Sequence, residues 1–298
     1  MKMKKMNQKL KKVLQITGII AISSMFIYAA STTVTRTSTT VPYPAQMSFS
    51  GETVPTSDND VSERLDREMV TNINYHSNTT LVIKRANKVF PIIEPILKRN
   101  GVPDDFKYLA VIESSLVNAV SPAGARGIWQ FMPATAKEYG MEVTDHVDER
   151  YHLEKSTEAA CKYLNDAYKK FGNWTLVAAS YNGGMAGVNR VLEAQQVSSY
   201  YDALFYEETG RYVFRILSLK EIMKNSAKYG FDIPQNELYV NIPTKKLYID
   251  SSIDDLASFA LEQGTNYKTL KVLNPWLRDK QLTVLSGKTY LIEVPEQI

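Results

Sequence analysis

Residues 106–116 read FKYLAVIESSL, a run that is apolar or small at nearly every position and carries a single carboxylate, Glu113. Such a run makes a helix buried on all sides, so the rest of the chain has to supply the elements that surround it. Asp104 and Asp105 stand where a helix start is capped. A lone carboxylate on a buried helix loses hydration, its acid form is favoured, and its pKa rises. A general acid working near neutral pH needs that property. A buried glutamate neutralised by an arginine or lysine for structural reasons would look the same in the sequence. The run by itself leaves both readings open.

The segment that follows is rich in special residues. Ser121-Pro122-Ala123-Gly124-Ala125-Arg126-Gly127 is a loop with two glycines, which permit close backbone approach or positive φ. In Ile128-Trp129-Gln130-Phe131-Met132-Pro133, the amide of Gln130 lies between two large apolar side chains and must find partners. Pro133 suits the first turn of a helix. A small-residue helical run at 174–180 leads into Tyr181-Asn182-Gly183-Gly184, and Glu208-Thr209-Gly210-Arg211-Tyr212-Val213 stands later in the chain.

In this order the motifs resemble those of the lytic transglycosylases of the soluble-transglycosylase, goose-lysozyme-like group, most closely the membrane-bound D type. That pattern is Glu-Ser, a Ser-Pro-x-Gly-Ala-x-Gly loop, Gly-x-x-Gln-x-Met-Pro, Tyr-Asn-x-Gly and Glu-Thr-x-x-Tyr-Val. Asp148-Glu149-Arg150 and Ser156-Thr157-x-Ala159-Ala160 also resemble the D type, as does Trp129. The resemblance covers residues 66–230, and several separated motifs in order make it specific. Gly183 stands where the family often has Ala, and Met185-Ala186-Gly187 replaces the usual Pro-Gly. Neither departure removes a group the chemistry needs, although both bear on the shape of the sugar subsites.

The resemblance implies a mainly α, lysozyme-like catalytic domain with a cleft, acting on peptidoglycan without metal or organic cofactor. Glu113 would protonate the oxygen between N-acetylmuramic acid and N-acetylglucosamine. It would then take the proton of the muramic C6 hydroxyl as that oxygen closes on C1 to give a 1,6-anhydro end. Ser121 and Gln130 would hydrogen-bond the sugar, with Met132 and the Gly127 backbone lining the cleft. Tyr181 would orient Glu113, Asn182 and Glu208 would bind sugar or brace the site, and Tyr212 would reach the Glu113 region. The competing structural reading makes Met132 and Tyr212 plain core residues and Tyr181-Asn182 only a turn after a helix.

The composition suits an exported protein. The formal net charge of the 298 residues is +3, but six lysines precede any acidic residue, which leaves −3 for the remainder. The basic balance therefore belongs to the leader and gives no reason to expect nucleic-acid binding. Residues 1–30 combine that lysine-rich start with an apolar stretch from 13 to 30, read as a secretory signal or an uncleaved membrane anchor. This points to the periplasm or cell envelope. Residues 31–65, rich in Ser, Thr and Pro at the start, read as a tether. The catalytic domain is expected at 66–235, with helices at 61–75, 79–88, 91–99, 156–168 and 212–224, and with Asn173 capping the run at 174.

After Gly230 the pattern changes to short strands at 238–242 and 246–249, helices at 253–263 and 267–273, and a closing strand at 289–294. This βααβ order over 238–298 resembles a lysin motif (LysM), which implies binding of N-acetylglucosamine-containing glycans. The usual Gly-Asp after the first strand is replaced by Ser251-Ser252. A module that only packs against the enzyme is the competing reading. Cys161, the single cysteine, fits a small core position, and His76, His146 and His152 lack metal-ligand spacing. Asp145, Asp148 and Glu149 read as helix caps or solvent-facing charges. Against the transglycosylase stand two other function classes: a hydrolytic lysozyme, which needs a second carboxylate to activate water, and a non-catalytic wall-binding scaffold.

Overall fold

The computed structural model describes residues 43–296. The leader at 1–30 and the first part of the tether lie outside them. Among the described residues no helix is long and apolar enough to cross a membrane.

The chain enters through a two-stranded antiparallel hairpin, β1 (Met47–Phe49) and β2 (Glu52–Val54). Residues 47–65, expected as the end of the tether, are thus folded. Phe49 is fully buried, edge-on to Phe106 at 5.3 Å, and Phe106 is in turn edge-on to Trp174 at 5.3 Å. Burying one such side chain contributes about 1.5–3 kcal/mol. Polar bonds pin the hairpin at both ends. The Ser50 amide donates to Asp105 at 2.7 Å. The Glu52 carboxylate accepts from the amide and hydroxyl of Thr175 at 2.9 and 2.6 Å. Asp105, expected as a helix cap, is instead held by Ser50 and Lys220, and Asp104 pairs with Lys107. A 3₁₀ turn, Asp104–Phe106, precedes the helix without a side-chain cap.

Two long helices follow, α1 (Asn59–Asn74) and α2 (His76–Arg99). The sequence pattern suggests a break in the second before Pro91, yet the helix runs through Pro91 and Pro95. Each proline removes one intrahelical donor. The continuous stripe Val82, Ala86, Val89, Ile93, Ile96 and Leu97 stays buried across them and offsets the loss. Then come α3 (Lys107–Ser114), the short α4 (Pro133–Glu138), with Pro133 in its first turn, and α5 (Leu153–Phe171). Gly172 ends α5 at φ 64°, a left-handed turn that a side chain disfavours. Asn173 caps α6 (Trp174–Gly183) by accepting from the Leu176 amide at 2.9 Å, as its position suggests. After α7 (Met185–Gln195), α8 (Glu207–Lys224) packs on α1, α3 and α6. Cys161 is buried in α5, and burial pushes its thiol up to about 12, so it is a core residue.

Residues 238–242 form no strand. They run along α2, where the Tyr239 amide donates to the Lys84 carbonyl at 3.2 Å and the Asn241 side chain to that of Lys88 at 2.8 Å. The expected βααβ module follows as β3 (Thr244–Ile249), α9 (Leu256–Glu262), α10 (Tyr267–Leu273) and β4 (Tyr290–Pro295). The strands pair antiparallel from Thr244↔Pro295 to Ile249↔Tyr290. Asn274 is buried and joins the end of α10 to β4, exchanging hydrogen bonds with the Glu293 backbone at 2.6 and 2.8 Å. The core of this module takes in Val147 and Tyr151 from the larger domain.

Candidate active site

Glu113 sits in the last turn of α3, half-buried among apolar neighbours because that helix is covered by α2 and α8. Burial raises its carboxyl from the ordinary 4.5 to about 7. Smaller opposing effects come from the Tyr212 hydroxyl, which donates to Glu113 Oε1, and from the Arg215 guanidinium, while the Glu208 carboxylate adds to the rise. The structural alternative of a glutamate neutralised by a paired base is not what is seen, since no lysine or arginine forms an ion pair with Glu113 among the described residues. A group that holds its proton to about neutral pH and can then release it is equipped to act as an acid and afterwards as a base.

The helix ends abruptly after Glu113. Ser115 and Leu116 both take left-handed backbone, φ 52° and 58°. Two arginines hold the freed carbonyls, Arg215 donating to Ile112 and Arg85 to Ser115, each at 3.1 Å. Cations at a helix C-terminus also match its dipole. Arg215 was not singled out from the sequence. Its position one turn beyond Tyr212 on the same helix was the available signal.

The 121–132 loop is built from its own backbone. The Ser121 hydroxyl accepts from the Ala125 amide at 3.0 Å, which leaves its hydrogen free to donate. Gln130 is left-handed at φ 51°, and its side-chain NH₂ donates to the carbonyls of Gly127 and Ala119 at 2.6 and 3.2 Å. Both donors are therefore engaged, and the amide oxygen is the atom free to meet a ligand. Gly127 passes so close to the neighbouring chain that a Cβ there would lie 1.9 Å from the Arg150 carbonyl oxygen. Met132 is largely exposed at the loop exit, so a core role for it is ruled out. Trp129 is fully buried with its indole donating to Thr157 at 2.8 Å.

Tyr181 lies near Glu113, whose charge, after burial, helps push the phenol well above its ordinary value. Its hydroxyl donates to the Trp129 carbonyl at 2.8 Å, so the bond to Glu113 belongs to Tyr212 alone. Asn182 donates to Glu208 at 3.2 Å and accepts from the Thr209 hydroxyl at 2.7 Å, which joins the end of α6 to the start of α8. A cavity of about 680 Å³ opens between α1, α3 and α8, with Ile112, Ser115, Glu208 and Arg215 on its wall. Asp148 and Glu149, read from sequence as caps or solvent-facing, are buried. Asp148 does accept from the Arg150 amide, but its main partner is the buried Arg150 side chain. Among the described residues no three His, Cys, Asp or Glu side chains converge as a metal site requires.

Residues 90–203 match the family profile described as "Transglycosylase SLT domain". The chain carries an SLT transglycosylase domain. The SLT match includes Glu113 and the 121–132 and 181–182 motifs, while Glu208 and Tyr212 lie beyond it. Residues 245–298 match "Soluble lytic transglycosylase C-terminal LysM-like domain". Over 246 residues the chain is 28% identical to "Membrane-bound lytic murein transglycosylase D" of Escherichia coli (strain K12), covering 80% of this chain and 53% of that protein. Over 108 residues it is 32% identical to a protein of Alteromonas sp. (strain M-1) named for tributyltin chloride resistance, covering 36% of this chain and 50% of that one. The chain thus spans about half the length of the curated relatives it matches. Its mainly α architecture with a LysM-like end is that of these two domains together.

Proposed function

We propose that this protein is a peptidoglycan lytic transglycosylase of the cell envelope, with Glu113 as general acid and then general base. The observation that carries the reading is a carboxyl raised to about 7 at the end of an SLT-domain helix, held by the Tyr212 hydroxyl. In the first step the bond from muramic C1 to the N-acetylglucosamine O4 breaks, and O4 takes the Glu113 proton. In the second, the C6 oxygen of the same sugar bonds to C1, and its proton returns to Glu113. No water is consumed, and the intramolecular attack carries a large advantage of proximity. The free Ser121 hydroxyl hydrogen and the Gln130 amide oxygen serve as sugar ligands, Met132 and the Gly127 backbone line the cleft, and Asn182 braces Glu208. The relative named as membrane-bound supports a tether to the membrane through the leader, and the LysM-like module supports contact with N-acetylglucosamine strands.

One observation favours a second reading. Glu208 is a carboxylate whose charge reaches Glu113, and a hydrolase would use such a group to activate water. Mass spectrometry of the muropeptides released from purified sacculi by the full chain separates the two, with Glu113→Gln as control. Products one water lighter than reducing-end muropeptides, absent with the variant, are expected. Reducing-end products would mean hydrolysis, and no release with sacculus binding intact would mean a scaffold.

A further inference from the structure

The C-terminal module is hydrogen-bonded, backbone to backbone, to the segment that holds the substrate loop. The 146–148 segment of the SLT side forms a β-bridge to the turn after α10, Val147↔Leu277. The Asp148 amide donates to the Trp276 carbonyl at 2.9 Å, and the Arg278 amide donates back to that of His146 at 2.8 Å. Val147 and Tyr151 complete the module's core, and Trp276 stacks with both His152 and Tyr290.

From that segment the connection continues to the substrate loop chiefly through the buried side chain of Arg150, and Arg126 of the loop also donates to Asp148 at 3.4 Å. Arg150 pairs with Asp148 through Nε and Nη2 at 2.9 and 2.7 Å. Its remaining nitrogen, Nη1, donates to the carbonyls of Gly124 and Phe131 at 3.1 and 3.2 Å, on the two sides of the loop. The backbone of Arg150 is also the surface against which Gly127 lies, with no room for a Cβ. A guanidinium holding two carbonyls and a carboxylate in fixed directions is a rigid spacer, a task for which the Arg fork is suited and a lysine is not. The spacer's own anchor, the Asp148 backbone, is fastened to the module.

We infer that the C-terminal module is part of the catalytic apparatus: through Trp276–Arg278, the 146–148 segment and the positioning residue Arg150, it sets the location of the 121–132 substrate loop. This rests on the reading of that loop as the sugar-binding wall beside Glu113. The module is then no freely swinging wall anchor. Loosening it displaces Ser121, Gly127 and Gln130.

Hydrogen exchange on the full-length chain tests this without reference to activity. Leu277→Val and Leu277→Ala weaken the module's core at the bridge to successive degrees. The amides of Arg126 and Gly127, bonded to the Phe131 and Ala119 carbonyls, are expected to exchange faster in the same order, by about tenfold for the alanine variant, while α6 and α8 keep their protection. Arg150→Lys should give the same loop exposure with the module intact, and raise KM on glycan strands far more than it lowers kcat. Faster exchange in the module with unchanged rates at Arg126 and Gly127 overturns the inference, as does an Arg150→Lys enzyme with unaltered KM. Failure of the functional reading would show separately, as wild-type protein that releases no anhydro products while the exchange pattern still holds.

Discussion

Replacing Glu113 by Gln should make the protein more stable, and only above the ordinary carboxyl range, from where folded and unfolded states begin to bind different numbers of protons. The folded carboxyl titrates at about 7, the unfolded one near its ordinary 4.5. Between these values the folded state binds more protons than the unfolded state, so stability falls as pH rises through the window, and the full cost is present above 7. At about 1.4 kcal/mol per pKa unit the ceiling is about 3 kcal/mol. Glu113 is only half-buried, and screening by cleft water reduces the expected value to about 2 kcal/mol. Gln keeps the shape and the oxygen that accepts from Tyr212 but does not titrate. Thermal unfolding followed by circular dichroism should give a Tm about 4–8 °C above wild type at pH 8, and no difference at pH 4, where both side chains are neutral. A gap between variant and wild type that stays constant from pH 4 to 8 would refute the argument that burial, and not a paired base, sets the state of this carboxyl.

Tyr212→Phe removes a donor that favours ionised Glu113, a bond to a charged group worth about 1.5–3 kcal/mol. The alkaline limb of the kcat/KM profile should move up by about one to two pH units, and an unmoved limb would show that the hydroxyl does not act on Glu113. Gly127→Ala sets a methyl against the Arg150 carbonyl, which as backbone cannot swing aside. It should cost about 2–3 kcal/mol and most of the turnover, whereas Gly124→Ala meets no atom within 4 Å and should lose about 1 kcal/mol to its positive φ alone, a contrast read from paired melts and muropeptide release. A fragment beginning at residue 66 lacks Phe49, Val54, Val61 and Leu65, each at most 2% exposed. At about 1.5–3 kcal/mol apiece their loss rivals the whole stability of a domain, so circular dichroism should find that fragment unfolded and one beginning at 43 folded.

What could be read from the residues alone divides along a physical line. Glu113, the glycine loop and the Tyr181-Asn182 pair are visible because their chemistry or backbone conformation demands particular residue types at short spacing, although that pair lies in the last turn of α6 and not in a turn after it. The capping of α6 by Asn173 and the end of α5 at Gly172 are visible for the same reason. Partnerships across long sequence separation are not. Nothing local assigns Tyr212 rather than Tyr181 to the Glu113 oxygen, or Glu52 to an amide at the start of α6. The continuity of α2 through two prolines depends on the surfaces it covers, and local propensity argues for a break there. The strand expected at 238–242 fails similarly: its alternation is genuine, but its partners are the carbonyls of α2 and not another strand. Asp148 and Arg150 look like surface charges until the fold closes over them.

The left-handed residues around the cleft bear on how such a protein responds to selection. Of the five non-glycine residues with positive φ among those described, Ser115 and Leu116 stand two and three residues after Glu113 and Gln130 lies on the substrate loop. Each holds about 1–2 kcal/mol that a glycine would release. A population screened only for heat resistance therefore finds quick gains at these positions, and each gain loosens the turn that aims the carboxylate or the amide. Lineages kept under selection for the proposed peptidoglycan cleavage should instead gather their thermal improvements far from it, on the outer faces of α5 and α7 and at the hairpin, leaving the strained turn unchanged.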